Sequence, residues 1–174
     1  MESVFTISVW THGETELYSR INEEQFVERF GSDRFVHRGR SYTVIGYNSN
    51  NIKNRTAASE TEYEWIEQQL HRARKNKPII VVSHHPYFIN NADEAEEYFN
   101  IDIETRMRYI KLFERYGVDL VLTGHLHKCA SGRYGDMEFV TAGPAGKTLG
   151  SDASGVEIVK IDGGKVLPAY YPIE

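Results

Sequence analysis

Hydrophobic positions along the chain alternate between the two-residue repeat of strands and the three-to-four-residue repeat of helices. Near the start, "VFTISVW" places Phe5, Ile7 and Val9 on one face and predicts a strand. "NEEQFVERFG" predicts a short helix that begins at Asn22 and stops at Gly31. "RFVHRGRSYTVIGYN" predicts two strands joined by a tight turn at "RGR".

Two longer helices follow. The first begins at Ser59, which has the spacing of a capping box with Glu62, and its last turn, "RARKNK", is basic and is closed by Pro78. The apolar stripe of this helix comprises Tyr63, Trp65, Ile66, Leu70 and Ala73. A second helix is predicted at about 104–116, with Gly117 as its terminating residue.

Two continuous apolar runs, "IIVVS" at 79–83 and "VDLVLT" at 118–123, predict strands that are covered on both faces. The tail adds three predicted strands, "MEFVTA", "GVEIVKI" and "KVLPAY", which we expect to pair antiparallel. This order predicts one α/β domain over residues 1–174, a layered sandwich of mixed β-sheets flanked by helices.

The composition argues against several classes of function and structure. The net charge of −5 argues against a broad nucleic-acid surface, which needs a basic face. The single cysteine, Cys129, excludes an internal disulfide, and no apolar run is long enough to span a bilayer. The opening "MESVFTISVW" lacks the basic start and long apolar core of a signal peptide, so a cytoplasmic location is the default expectation.

Histidines follow both buried strands. His84 and His85 end the first, and His125 and His127 end the second. The carboxyl ends of strands in open α/β sheets border ligand sites, so we expect both groups to meet in one crevice. On extended backbone, His125 and His127 would point to the same side. Imidazoles bind zinc, iron and manganese, and they also occur as ordinary hydrogen-bonded residues; the spacing alone leaves both readings open.

The motifs "SHHP" and "GHLH", about forty residues apart, resemble the last two metal-binding motifs of the calcineurin-like metallophosphoesterases. "SETEYEWIEQQL" and "FVTAGPAGK" resemble that family's flanking segments. The resemblance implies a metallophosphatase-like fold in which two divalent ions (Mn, Fe or Zn) clamp a phosphate ester and activate water for in-line attack.

The resemblance also implies residue roles. His84 and His125 would bind one ion and His127 the other, while His85 would orient its neighbours by hydrogen bonds. Tyr87 and Asn90, just beyond the "HHP" motif, are candidate substrate contacts by position.

Three of the family's motifs, D-x-H, G-D-x-x-D and G-N-H-[DE], are not found in the sequence. "SVWTHGE" lies where the third is expected, with His12 in place of the catalytic histidine and Thr11 in place of a metal-binding asparagine. The chain therefore resembles the C-terminal half of such a domain, truncated and lacking the N-terminal strands and helices. An uncovered sheet would favour self-association or pairing with a separate N-terminal half.

The missing carboxylates limit the metal content. Two adjacent divalent ions repel each other, and three neutral imidazoles supply no compensating charge. We expect this chain to bind one ion, through His84, His125 and His127, or none. Three functions stay open: a metal-dependent phosphoesterase for small phosphate esters or phosphoproteins, with an incomplete site here; a non-catalytic binding domain of the same fold; and a single-metal structural site.

Overall fold

The structure is a computed structural model that describes residues 3–6, 25–29, 31–146 and 148–173. The predicted N-terminal strand is confirmed over Ser3–Thr6 (β1), and a short helix (α1) occupies 25–29. Gly31, at φ +85°, follows this helix as expected. Ile7, Val9 and Asn22 lie outside the described residues.

The remaining elements follow in chain order. They are β2 (Phe35–Arg38), β3 (Thr43–Gly46), α2 (Ser49–Lys53), α3 (Ser59–Ala73), β4 (Ile79–Val82), α4 (Ile103–Tyr116), β5 (Leu120–Thr123), β6 (Ala130–Tyr134), β7 (Met137–Thr141), β8 (Gly155–Asp162) and β9 (Lys165–Pro172). The predicted long helices and buried strands are confirmed, whereas β6 was not predicted because its edge sequence "ASGRY" carries almost no apolar alternation.

Six strands form the main sheet, in the order β2-β3-β4-β5-β7-β6. The four inner strands are parallel, and the edge strands β2 and β6 are antiparallel to their neighbours. The expectation of an antiparallel tail was therefore wrong for β7, which runs parallel to β5 because β6 first returns the chain along the sheet edge. The expectation holds for β8 and β9, which form a second sheet with β1 in the order β1-β8-β9.

Alternate residues of the inner strands face different layers. Ile79 and Val81 of β4 pack in the cluster formed with α3 and α4, whereas Ile80 and Val82 pack in the cluster that contains Val159 of β8. Full burial on both faces explains the uninterrupted apolar runs of these strands. The layers are therefore helices, six-stranded sheet and three-stranded sheet, which confirms the predicted sandwich.

The predicted start of α3 was wrong in one detail, whereas the predicted end of α4 is confirmed. Helix α3 begins after Ala58, and no side chain caps it, so the capping box predicted at Ser59 was wrong. At α4, the Asp102 carboxylate accepts the Thr105 N–H at 3.0 Å, and Gly117 adopts φ +64° at the C-terminal end. That left-handed conformation costs glycine little, which is why the terminus could be predicted.

A cleft of about 440 Å³ separates the two sheets where β6 and β7 face β8 and β9. Its walls include Glu138 of β7 and Glu157 of β8, together with Cys129 and Tyr170. Burial first, and the nearby Glu138 carboxylate second, raise the pKa of Glu157 to about 7. The two sheets thus hold an acid pair between them.

Candidate metal centre

Three neighbouring parallel strands deliver polar side chains to one edge of the main sheet. Ser49 follows β3, His84 and His85 follow β4, and His125 follows β5. The Gly124 N–H donates to the His84 carbonyl at 3.0 Å, which fixes the two histidine-bearing turns side by side. The expectation that both histidine groups would share one crevice rested on this geometry of strand ends.

His84, His85 and His125 form a compact group, which we call the histidine trio. Their ring centroids lie 4.7, 4.8 and 4.8 Å apart. One ring nitrogen from each lies within 4.8 Å of the others, and His125 Nδ1 is 2.9 Å from His84 Nε2. Such a donor set could hold one metal ion.

His127 lies outside the trio, although it is only two residues from His125. The extended backbone assumed from the sequence was wrong: His125 has φ +73° and His127 φ +52°. Leu126 N also donates to the Gly124 carbonyl at 2.9 Å, so the segment is a tight turn. A left-handed non-glycine residue costs about 1 kcal/mol or more, and such strain is concentrated at ligand-binding sites.

The electrostatics around His85 favour a neutral ring. Burial is the largest cause that lowers the pKa of His85, to about 2, and the neighbouring His84, His125 and Lys53 lower it further. Among the described residues, no carboxylate joins the trio. A neutral imidazole can offer a lone pair to a metal, so a group of imidazole rings without a positive charge could hold a cation.

A loop at 88–102, which we call the rim loop, borders the trio and is held by polar side chains, one of which is fully buried. The guanidinium of Arg106, fully buried on α4, donates to loop carbonyls, and the Glu94 carboxylate accepts loop N–H groups. Lys53 of α2 donates to two further loop carbonyls, those of residues 97 and 100. Tyr98, 66% exposed, packs edge-on against His125 with ring centroids 5.9 Å apart. These contacts hold the rim loop in a defined position at the edge of the histidine trio.

The other candidate residues have different locations. His12 lies outside the described residues. Tyr87 is fully buried, and its hydroxyl is hydrogen-bonded to that of Tyr47, so it has no surface for a substrate. That expectation was wrong because the residue after "HHP" turns back into the core. Asn90 is exposed in the rim loop.

Sequence reasoning missed three residues around the trio: Ser49, Lys53 and Tyr98. Ser49 could have been found from the sequence, because the polar pair "NS" follows the apolar strand "TVIGY" in the same way that "HH" follows "IIVVS". No signal in a single sequence could place Lys53 or Tyr98, which reach the site through tertiary contacts.

Comparison with known proteins identifies the relatives of this chain. Residues 8–129 match the calcineurin-like phosphoesterase family. The serine/threonine-protein phosphatase CPPED1 of Rattus norvegicus is 28% identical over 156 residues, which cover 87% of this chain and 50% of the rat protein. The Bos taurus protein of the same name is 31% identical over 123 residues, covering 69% and 39%. The chain thus spans about half the length of the curated relatives it matches.

Solved structures support the fold. GAP50, the anchor in the inner membrane complex of Plasmodium, aligns with a TM-score of 0.59 at 17% identity, covering 74% of this chain and 44% of GAP50. Purple acid phosphatase PPD1 from yellow lupin (Lupinus luteus) seeds aligns with a TM-score of 0.53 at 14% identity, covering 80% and 30%. Within the described residues, none of the helices has the length and apolar character required to cross a membrane.

Proposed function

The chain belongs to the calcineurin-like phosphoesterase family, and we propose that its histidine trio is part of a metal site for the hydrolysis of phosphate esters. The observation that carries the proposal is the convergence of His84 and His125 at the end of β4 and β5. Both lie in the motifs that resemble the family's metal-binding segments. The family is metal-dependent, whereas the identity and number of ions here belong to this proposal.

The trio fits a single ion better than two. Two nitrogens bound 2.0–2.1 Å from one tetrahedral zinc lie about 3.4 Å apart. His84 Nε2 and His125 Nδ1 are 2.9 Å apart, so a small outward movement would admit an ion between them. Without a carboxylate in the trio, a second dication would meet uncompensated repulsion. We therefore propose one zinc-like ion, bound by His84 and His125.

A bound divalent ion would polarise a phosphoryl group and lower the pKa of a coordinated water. The ring nitrogens of His84 and His125 hold the ion in this scheme, and His85 orients its surroundings by hydrogen bonds. His127 stays a predicted ligand because of its position in the "GHLH" motif. His12 stays a candidate catalytic group by the same resemblance.

The substrate class is a phosphate ester, either a small molecule or a phosphoprotein. The name of the CPPED1 relatives, serine/threonine-protein phosphatase, supports the second possibility. The exposed Tyr98 and Asn90 of the rim loop are the proposed contacts for the leaving group, with Tyr98 taking the place first expected of Tyr87. Self-association of the chain also stays a prediction.

Metal content tests the proposal directly. The purified chain, dialysed against zinc and then against buffer, should retain about one equivalent of metal by mass spectrometry, as a single site at His84 and His125 predicts. The variants His84→Ala and His125→Ala should retain almost none. His71→Ala, which removes an exposed histidine of α3, should match the unaltered chain.

Hydrolysis separates the alternatives. Turnover of an aryl phosphate that a chelator abolishes supports the phosphoesterase. One retained ion without turnover indicates a structural metal site, and a chain that binds no metal indicates a non-catalytic domain. Equal metal retention in His84→Ala and in the unaltered chain would contradict the proposed ligands.

A further inference from the structure

Ser49 occupies an unusual place beside the histidine trio. It is the first residue of α2, follows β3, and is only 1% exposed. The helix does not need its hydroxyl, because the neighbouring Asn48 side chain caps α2 by accepting the Asn50 N–H at 3.1 Å. The Ser49 hydroxyl is therefore available for contacts outside its own helix.

Three hydrogen bonds connect that hydroxyl to the "HH" turn. The backbone N–H groups of His84 and His85 donate to Ser49 Oγ at 3.1 and 3.0 Å. The third contact joins Ser49 Oγ to His85 Nδ1 at 3.1 Å. A buried serine thus holds both the backbone and one ring of the motif.

The donor inventory of a hydroxyl decides the direction of the third bond. A serine oxygen has two lone pairs and one O–H. The two backbone N–H groups occupy both lone pairs, so the O–H is what remains for His85 Nδ1. That nitrogen must then accept, which means that it carries no proton. The ring is neither cationic nor protonated at Nδ1.

We propose that Ser49 is a positioning residue that fixes His85 in the neutral tautomer protonated at Nε2. Both ring nitrogens are then committed: Nδ1 accepts from the serine, and Nε2 bears a hydrogen. His85 has no lone pair left for a metal, although it lies within the trio, and it presents an N–H donor instead. Metal binding therefore falls to His84 and His125. The consequence for metal binding rests on the proposed function, whereas the tautomer does not.

Ring-nitrogen NMR of the metal-free chain tests the tautomer directly. Long-range ¹H–¹⁵N spectra should show His85 Nδ1 at the frequency of an unprotonated nitrogen and Nε2 at that of a protonated one. Ser49→Ala should shift the ring toward a mixture of tautomers, because Nδ1 loses the hydroxyl that donates to it. Ser49→Thr, which keeps the hydroxyl, should restore the original pattern.

Ser83→Ala is the matched control. Ser83 is also 1% exposed and immediately precedes His84, but among the described residues its hydroxyl forms no hydrogen bond with the histidines. It should leave the His85 spectrum unchanged. A His85 protonated at Nδ1 in the unaltered chain would overturn the proposal without any variant, as would an unchanged spectrum in Ser49→Ala.

Cobalt binding separates this inference from the proposed function. Losing an outer hydrogen bond of a metal site weakens metal binding by about 10-fold or more, so Ser49→Ala should reduce cobalt affinity by that factor while Ser83→Ala does not. Equal affinity in Ser49→Ala would overturn the positioning role at the metal. If the unaltered chain shows the expected His85 tautomer but no cobalt absorption, the inference stands and the proposed metal site fails.

Discussion

The acid pair in the cleft between the two sheets should make the stability of the fold depend on pH. Burial and the Glu138 carboxylate raise the pKa of Glu157 from its ordinary 4.5 to about 7. The folded state therefore holds this proton more tightly than the unfolded chain. The stabilisation is complete below about pH 4.5, falls as the pH rises, and is lost above about pH 7.

The magnitude follows from the same pKa. A rise of the pKa from 4.5 to about 7 corresponds to a change of about 3.4 kcal/mol in the free energy of unfolding for a fully buried group. Glu157 is only partly buried and water screens it, so we expect about 1.5 kcal/mol. Glu157→Gln keeps the shape and removes the charge. It should be more stable than the unaltered chain by about 1.5 kcal/mol at pH 8, and equal within a few tenths at pH 4.5.

Urea unfolding followed by tryptophan fluorescence at pH 4.5, 6, 7 and 8 measures this difference. Glu138→Gln should recover a smaller part of the stability at pH 8, since burial is the larger cause. Glu64→Gln, at an exposed position of α3, should show no pH-dependent difference. The reasoning is refuted if Glu157→Gln shifts stability equally at pH 4.5 and pH 8, or lowers it at pH 8.

Three further outcomes test helix α4 and its contacts. Arg106→Met should lower the free energy of unfolding in urea by about 3 kcal/mol and expose the rim loop to proteolysis, because carbonyls of that loop lose their hydrogen-bond donors. The control Lys111→Met, at an exposed position of the same helix, should have neither effect. Asp102→Ala should cost about 1–2 kcal/mol in the same assay, whereas Asp102→Asn should cost less because asparagine can still cap α4. Gly117→Ala should lower stability by about 1 kcal/mol in thermal unfolding, since φ +64° strains any residue with a Cβ; Gly150→Ala, which meets no neighbouring atoms, is the control.

Local rules predicted much of this fold. The doubly buried strands β4 and β5 were readable because both faces of each are covered, which leaves an unbroken apolar run. Gly117 marked the end of α4 for a backbone reason that needs no tertiary information. By contrast, β6 forms through its pairing with β7 at the sheet edge, and its own residues lack the apolar alternation that would predict a strand.

The candidate site was predictable only in outline. The positions of His84 and His125 at strand ends indicated that they would meet. The direction of each ring depends on backbone angles that residue spacing does not encode, and the left-handed turn at His125 and His127 is the clearest example. Tyr87 shows the same limit, because its burial depends on a core assembled from distant segments.

The parallel arrangement of β3, β4 and β5 separates two kinds of evolutionary constraint. The residues within these strands pack against a helical layer on one side and a second sheet on the other, so a substitution there disturbs many neighbours at once. The segments that leave their carboxyl ends carry the polar residues and can lengthen or change sequence while the interior stays intact. A lineage with this scaffold could therefore acquire a new substrate preference by remodelling loops such as 88–102, with little penalty to folding.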